Sequence, residues 1–184
     1  TPLRADLIAA GVNLTACFDK TIQVSNENSG HTLNFNQNEK SYQLEKEKLS
    51  LPIKRFPGLA LPSTFLFYNQ NPIPLHLYDF ALHLFNNWHN KEALVFYVPK
   101  LENEEEAKYI KTMIKKSEEL IQKKHPEYVI GSIRLLIVLE NPRAILRINE
   151  MMDELYPYFA GASLGWHDFL ASTARLFKED ANYR

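Results

Sequence analysis

Gly131-Ser132-Ile133-Arg134-Leu135-Leu136-Ile137-Val138-Leu139-Glu140-Asn141-Pro142 is the stretch whose reading decides the fold. Its five consecutive apolar residues, 135 to 139, lie between a glycine and an Asn-Pro turn. Such a run marks a strand buried on both faces, the kind found in a parallel sheet covered by helices. The strand closes on a carboxylate, Glu140. Downstream, the small-residue run Ala160-Gly161-Ala162-Ser163-Leu164-Gly165 reads as another strand, with Asp168 just beyond it. A helix predicted over 142–156 lies between them. Both acids are therefore expected at one mouth of a βα array.

The same alternation extends toward the N-terminus. Asn103 to Lys124 is the strongest predicted helix: Asn103 and Glu106 form a capping box, and Glu104, Glu105 and Glu106 suit the positive end of the helix dipole. Its buried stripe is predicted as Ala107, Ile110, Ile114, Leu120 and Ile121. Ala93 to Val98 reads as a strand, and 75–88 as a helix with apolar residues at 77, 80, 81, 84, 85 and 88. Phe65 to Tyr68 is a short extended piece, and 25–40 an exposed loop or hairpin. At the start, Leu3–Ala10 reads as a helix stopped by Gly11, and Val12–Phe18 as a buried strand. With strands at 12–18, 49–54, 93–98, 132–139 and 159–164 and a last helix at 168–178, five core strands are expected. No glycine-rich phosphate loop follows any of them, which argues against a dinucleotide fold. The fold class is α/β, either an open sheet or an incomplete (β/α)₈ barrel with about five of its eight units.

Composition sets the frame. The chain has 184 residues, 45% apolar and 23% charged, with a net charge of −1. This suits one folded domain and gives no global attraction to nucleic acid or anionic membranes. No apolar run reaches the roughly 20 residues of a membrane span. The single cysteine, Cys17, excludes an internal disulfide and points to a reducing, cytoplasmic setting. The opening Thr1-Pro2-Leu3-Arg4 carries no secretory leader and reads as the start of an excised or processed segment.

Strand ends collect the polar residues: Asp19 and Lys20, Arg55, Lys100 and Glu102, Glu140, and Asp168. Two carboxylates from adjacent strands can offer oxygen ligands to Mg²⁺, which keeps water or substrate in its other positions. Arg55 supplies a planar fork for a carboxylate or enolate. Plainer readings stand beside these. Asp168 can be a helix N-cap, Glu140 can simply open the next helix, and Arg55 can be a surface residue. The six histidines show no metal-ligand spacing.

Several of these segments together resemble malate synthase. Phe96-Tyr97-Val98-Pro99-Lys100-Leu101-Glu102 is similar to the family's aromatic-Pro-Lys-x-Glu strand, and Asn71-Pro72-Ile73-Pro74 with Tyr78 to Leu82 to the helix before it. Gly131 to Arg134 with Glu140, and Gly161 to Phe169, resemble the strands carrying the family's metal-binding glutamate and aspartate. Arg55 in Arg55-Phe56-Pro57-Gly58 falls where the family has its catalytic arginine. The resemblance implies a (β/α)₈ enzyme of the glyoxylate cycle that joins acetyl-CoA to glyoxylate and releases malate and CoA. Glu140 and Asp168 would hold Mg²⁺, Arg55 would stabilise the enolate of acetyl-CoA, and Gly165, Trp166, His167 and Asp168 would receive glyoxylate. Asp19, Lys20, Lys100 and Glu102 are expected around that site.

The sequence also departs from the family pattern. Phe18-Asp19-Lys20 stands where Phe-Glu-Asp is usual, and Trp166-His167 where Arg-Trp is usual. The family's catalytic base belongs to a later domain, so residues 1–184 are expected to form a partial barrel domain that needs further strands and that base. Weak or no activity is expected of it alone. The citrate lyase β-subunit and HpcH/HpaI aldolase superfamily, with similar paired carboxylates, makes a C–C lyase the first alternative. A non-catalytic degenerate barrel segment is the second.

Overall fold

The structure is a computed structural model and describes residues 4–19 and 50–182. The loop expected at 25–40 and Lys20 lie outside the described residues. Among those residues the centre is a four-stranded parallel sheet of β1 (Lys54–Arg55), β4 (Val95–Val98), β5 (Arg134–Leu139) and β6 (Phe159–Leu164), side by side in that order. Arg55 pairs with Tyr97, Val98 with Ile137, and Leu139 with Leu164, so all four C-terminal ends open at one mouth. The sheet does not close on itself. β2 (Pro62–Tyr68) and β3 (Asn71–Pro74) form a separate antiparallel hairpin, turned at Asn69 and Gln70, both at positive φ. Two left-handed residues give the tight turn whose twist matches a hairpin.

The expected α/β class and its incomplete barrel arrangement hold, but one of the five strands does not. Residues 12–18 continue the helix α1, Arg4–Phe18. Its shielded positions are Leu7, Gly11, Leu14 to Cys17 and Phe18, a spacing of three and four rather than two. Gly11 does not stop it, and open space surrounds the place a Cβ would take. The strand expected at 49–54 is paired only over Lys54–Arg55, although the Phe56 amide still donates to Tyr97 O at 2.9 Å.

The core lies between the sheet and its helices. Phe56, Phe80 and Phe96 meet edge to face at 5.2–5.3 Å, joining β1, β4 and α2 (Leu75–Asn87). Ala107, Ile110 and Ile114 of α3 (Glu104–Lys124) pack with Leu135 and Ile137 of β5, all fully buried. Each such aliphatic side chain stabilises the fold by about 1.5–3 kcal/mol on burial. Two details correct the expected helices. Leu120 is 66% exposed, and Glu118 joins Ile121 on the buried stripe in its stead. The expected helix 142–156 is broken into α4 (Pro142–Leu146) and α5 (Ile148–Leu155). At the break, Arg147 leaves helical geometry and its Nε donates to Glu104 at 3.1 Å, an ion pair that helical continuation would redirect. α6 (Trp166–Leu176) follows β6 directly. No helix among the described residues is long and apolar enough to cross a membrane.

Candidate functional site

Three loops meet at the mouth of the sheet. β4 runs into Pro99 and then Lys100, whose φ of +60° turns the chain in the left-handed region. β5 runs into Glu140. The helix that follows is capped by the next residue, Asn141, which accepts from the Ala144 amide at 2.8 Å. Glu140 is thereby free of helix-opening duty, which removes its plainer reading. Asp168 is likewise no N-cap: α6 begins at Trp166 behind Gly165, and Asp168 lies in its first turn. That position places an acid at the positive end of the helix.

The three side chains converge. The Lys100 amide donates to Glu140 Oε1 at 3.2 Å, and its ammonium reaches Glu140 Oε2 at 3.4 Å and also bonds the Asp168 carboxylate. Glu140 is 5% exposed, whereas the Asp168 side chain is 49% exposed. Burial raises the Glu140 pKa, hydrogen bonding with Asp168 adds to that, and Lys100 opposes it. Asp168 is held down to about 2, first by its hydrogen bonding with Glu140, then by Lys100, with Arg55 contributing. The ammonium in turn has its pKa raised, chiefly by Asp168. Two acids with opposite shifts share one cation.

Gly165 makes this arrangement possible. Its amide donates to Leu139 O at 2.9 Å, tying the end of β6 to the end of β5. A Cβ there would sit 2.4 Å from Glu140 Cγ and 2.9 Å from Val138 Cγ1. Only glycine lets the strand end pass this close to the carboxylate.

A cleft of about 230 Å³ opens beside the acids, lined by Lys100, Glu102, Glu140, Asn141, Asp168 and Arg175 among others. A larger apolar cavity of about 680 Å³ adjoins it, with Arg55, Phe56 to Leu61, Leu75 and Glu106 on its walls. Lys100 and Glu102 border both. Arg55 therefore faces the same mouth from β1. Trp166 and His167 are exposed at the start of α6, alongside Asp168. Asp19 is elsewhere, at a cavity between α1 and α2 that also includes Lys54 and Asp79. The sequence places Lys100 around the site but not between the two acids; the Pro-Lys step straight after a buried strand is its signal. Ser172, whose hydroxyl donates to Glu140 O at 3.3 Å, and Arg175 carried none.

The donor set suits a hard divalent cation. No group of three or more His, Cys, Asp or Glu converges among the described residues; the two carboxylates that meet at Lys100 are those of Glu140 and Asp168. Mg²⁺ is commonly held by one or two carboxylates, with water and substrate oxygens completing its octahedron. A buried glutamate beside a second acid also demands a neighbouring positive charge.

Comparison with known proteins identifies the family of the fold. The family model described as "Malate synthase, TIM barrel domain" matches residues 52–184. Glyoxysomal malate synthase of Gossypium hirsutum is 27% identical over 187 residues, covering 97% of this chain and 30% of that protein. Malate synthase A of Escherichia coli K12 is 27% identical over 179 residues, with 94% and 30% covered. Glyoxysomal malate synthase of Candida tropicalis is 26% identical over 155 residues, with 79% and 27% covered. The chain thus spans about 30% of the length of these curated relatives. With the family model covering most of the chain and the open parallel sheet presenting its polar mouth, the chain belongs to the malate synthase family, in its TIM barrel domain.

Proposed function

We propose that this chain carries the metal- and glyoxylate-binding half of a malate synthase site, acting in the condensation of acetyl-CoA with glyoxylate. The observation that carries the reading is the convergence of Glu140, Asp168 and Lys100 at the strand ends, with Arg55 bordering the adjoining cavity. Glu140 and Asp168 would hold Mg²⁺. When bound, that ion polarises a carbonyl oxygen and neutralises charge that develops on it. Asn141 and Gly165 keep Glu140 oriented: one takes over the helix cap, and the other leaves room for the side chain. The free amides at the start of α6, at Trp166, His167 and Asp168, suit the carboxylate of glyoxylate. Arg55 offers a guanidinium for the enolate oxygen of acetyl-CoA, with the apolar cavity beside it for the acyl group. Removing a proton from that acetyl group needs a general base, a role assigned to none of the described residues.

The matched family and relatives favour condensation over a C–C lyase or a non-catalytic segment. We place residues 1–184 in one partial barrel domain completed by further strands. We also place it in the cytoplasm, on the strength of the free Cys17; localising the full-length protein tests this against the glyoxysomal setting of the named plant relatives.

Calorimetric titration of glyoxylate with and without Mg²⁺ tests the site. Binding is expected only with Mg²⁺, and Glu140→Gln or Asp168→Asn should weaken it at least about tenfold, the loss typical even of residues that merely orient metal ligands. Arg55→Lys should leave Mg²⁺ binding intact while lowering turnover of the full-length enzyme. Unchanged Mg²⁺-dependent affinity in both carboxylate variants would refute the assignment.

A further inference from the structure

We propose that Lys100 is a resident counter-ion which a divalent metal must displace, and that its freed ammonium then serves the anionic substrate beside Arg55. The inference rests on the metal reading above and adds an order of events to it.

Four observations carry it. Lys100 is the residue that bonds both acids, through its ammonium to each and through its amide to Glu140. Its backbone sits at φ +60°, a left-handed conformation that non-glycine residues rarely adopt, at the turn where its amide meets Glu140. Its side chain is 56% exposed, so packing does not fix the ammonium where it stands. Finally, Lys100 borders both the acid cleft and the apolar cavity that includes Arg55.

The physical argument follows from charge and space. A buried carboxylate next to another acid is costly unless a cation stands between them, and here the ammonium fills that role. A divalent ion bonded to the same oxygens would take the same space and repel a cation at hydrogen-bonding distance. The two states exclude one another. Binding of the metal must therefore include the work of moving Lys100, which lowers the apparent metal affinity. The flexible stem lets the ammonium settle on the other wall it already borders. Two cations, Lys100 and Arg55, would then stand on the cavity side of a glyoxylate whose carboxylate lies at the start of α6. By linkage, the metal favours the anion and the anion favours the metal.

The test is calorimetry of Mg²⁺, and separately of Mn²⁺, with wild type, Lys100→Met and Lys100→Arg, followed by glyoxylate titration in saturating Mg²⁺. Lys100→Met keeps the stem out to Cε and removes the ammonium with its hydrogen bonds. It should bind Mg²⁺ about tenfold tighter than wild type, and then bind glyoxylate severalfold more weakly. Lys100→Arg, which keeps a cation, should bind Mg²⁺ no tighter than wild type. Equal or weaker Mg²⁺ binding by Lys100→Met overturns the displacement, and undiminished glyoxylate affinity in that variant overturns the second role. If neither wild type nor Lys100→Met binds Mg²⁺ or Mn²⁺, the metal reading itself falls and this inference with it.

Discussion

Among the described residues two glutamates are buried, and they are treated in opposite ways. Glu118, in the middle of α3, is fully buried. It accepts the hydroxyls of Tyr128 and Tyr158, both at 2.7 Å, and the Gly131 amide bonds its two oxygens at 3.1 and 3.0 Å. Every one of these partners is a neutral donor, and burial first, then the carboxylate, drives both tyrosine pKa values upward. Glu140, at the mouth of the sheet, has the Lys100 amide, a shared ammonium and a second acid for company. One carboxylate is closed and pins α3 to the loop before β5 and to the start of β6. The other is left with capacity to spare. Glu118 is saturated by fixed dipoles, whereas Glu140 shares a partner whose side chain is exposed.

The same substitution at the two positions puts that contrast at risk, and the larger effect belongs to Glu118. In Glu118→Gln the amide nitrogen must face donors. The tyrosine hydroxyls can turn to accept, but the Gly131 N–H cannot reverse. That N–H, which bonded both oxygens, keeps one acceptor and meets an NH₂ beside it. The tyrosine that turns to accept gives up its own acceptor, so the variant should lose about 2–3 kcal/mol in urea unfolding. A loss below 0.5 kcal/mol, on the scale of about 1 kcal/mol for an ordinary hydrogen bond, would show that Glu118 anchors nothing.

Why one glutamate was legible in the sequence and the other was not follows from their partners. Glu140 announces itself because it ends a continuous apolar run, and Asn103 because a cap is read from residues three apart; it accepts from the Glu106 amide at 3.0 Å. Glu106 itself reaches back to the amide of Glu102, one residue before the cap, which the pattern alone did not give. Glu118 sits among Lys115, Lys116, Ser117 and Glu119 and reads as part of a solvated face. Its partners are 10, 13 and 40 residues away, so only the folded chain identifies it. The misread strand at 12–18 has a similar origin. A short apolar run fits either a strand or a buried helix face, and tertiary packing against α2 decided. At the site, the acids and Arg55 were legible as strand ends. The bridging of Lys100 depends on its left-handed backbone, which no residue type signals.

The comparison is sharpened by asking how firmly the open end is held. Gly165→Ala places a methyl group 2.4 Å from Glu140 Cγ, close to the backbone rather than at the free end of a side chain. Something must move, and the cost should be about 2 kcal/mol, as for other overpacked sites. Gly161→Ala in the same strand meets only Leu136 Cδ2 at 3.1 Å, the far end of a side chain that can give. It should cost under about 1 kcal/mol. Thermal melts of the pair measure the difference. Mg²⁺ affinity should fall with Gly165→Ala alone, and equal melting temperatures would mean that the mouth is soft and that Glu140 is not held by its neighbour.

The smallest effect is the most telling, because its sign is opposite. Without metal, ionised Glu140 is a burden to the fold: burial and Asp168 raise its pKa above the unfolded value, so its ionisation at neutral pH costs stability. The sign is that of a carboxylate stabilising below its unfolded pKa and less so as pH rises through the folded one. In Glu140→Gln the carbonyl oxygen still accepts from the Lys100 amide, the new NH₂ can donate to Asp168, and Lys100 keeps Asp168 as its partner. The metal-free variant should therefore be as stable as wild type at pH 7, or up to about 1 kcal/mol more stable, the gain expected when a functional site is relieved of its charge. At pH 4, below the ordinary glutamate range, the difference should shrink, because a raised pKa favours the neutral acid there. Urea unfolding at the two pH values checks both statements. A Glu140→Gln variant that lost as much stability as Glu118→Gln would mean that the two glutamates do the same structural work, and the distinction between a saturated and an open carboxylate would have to be abandoned.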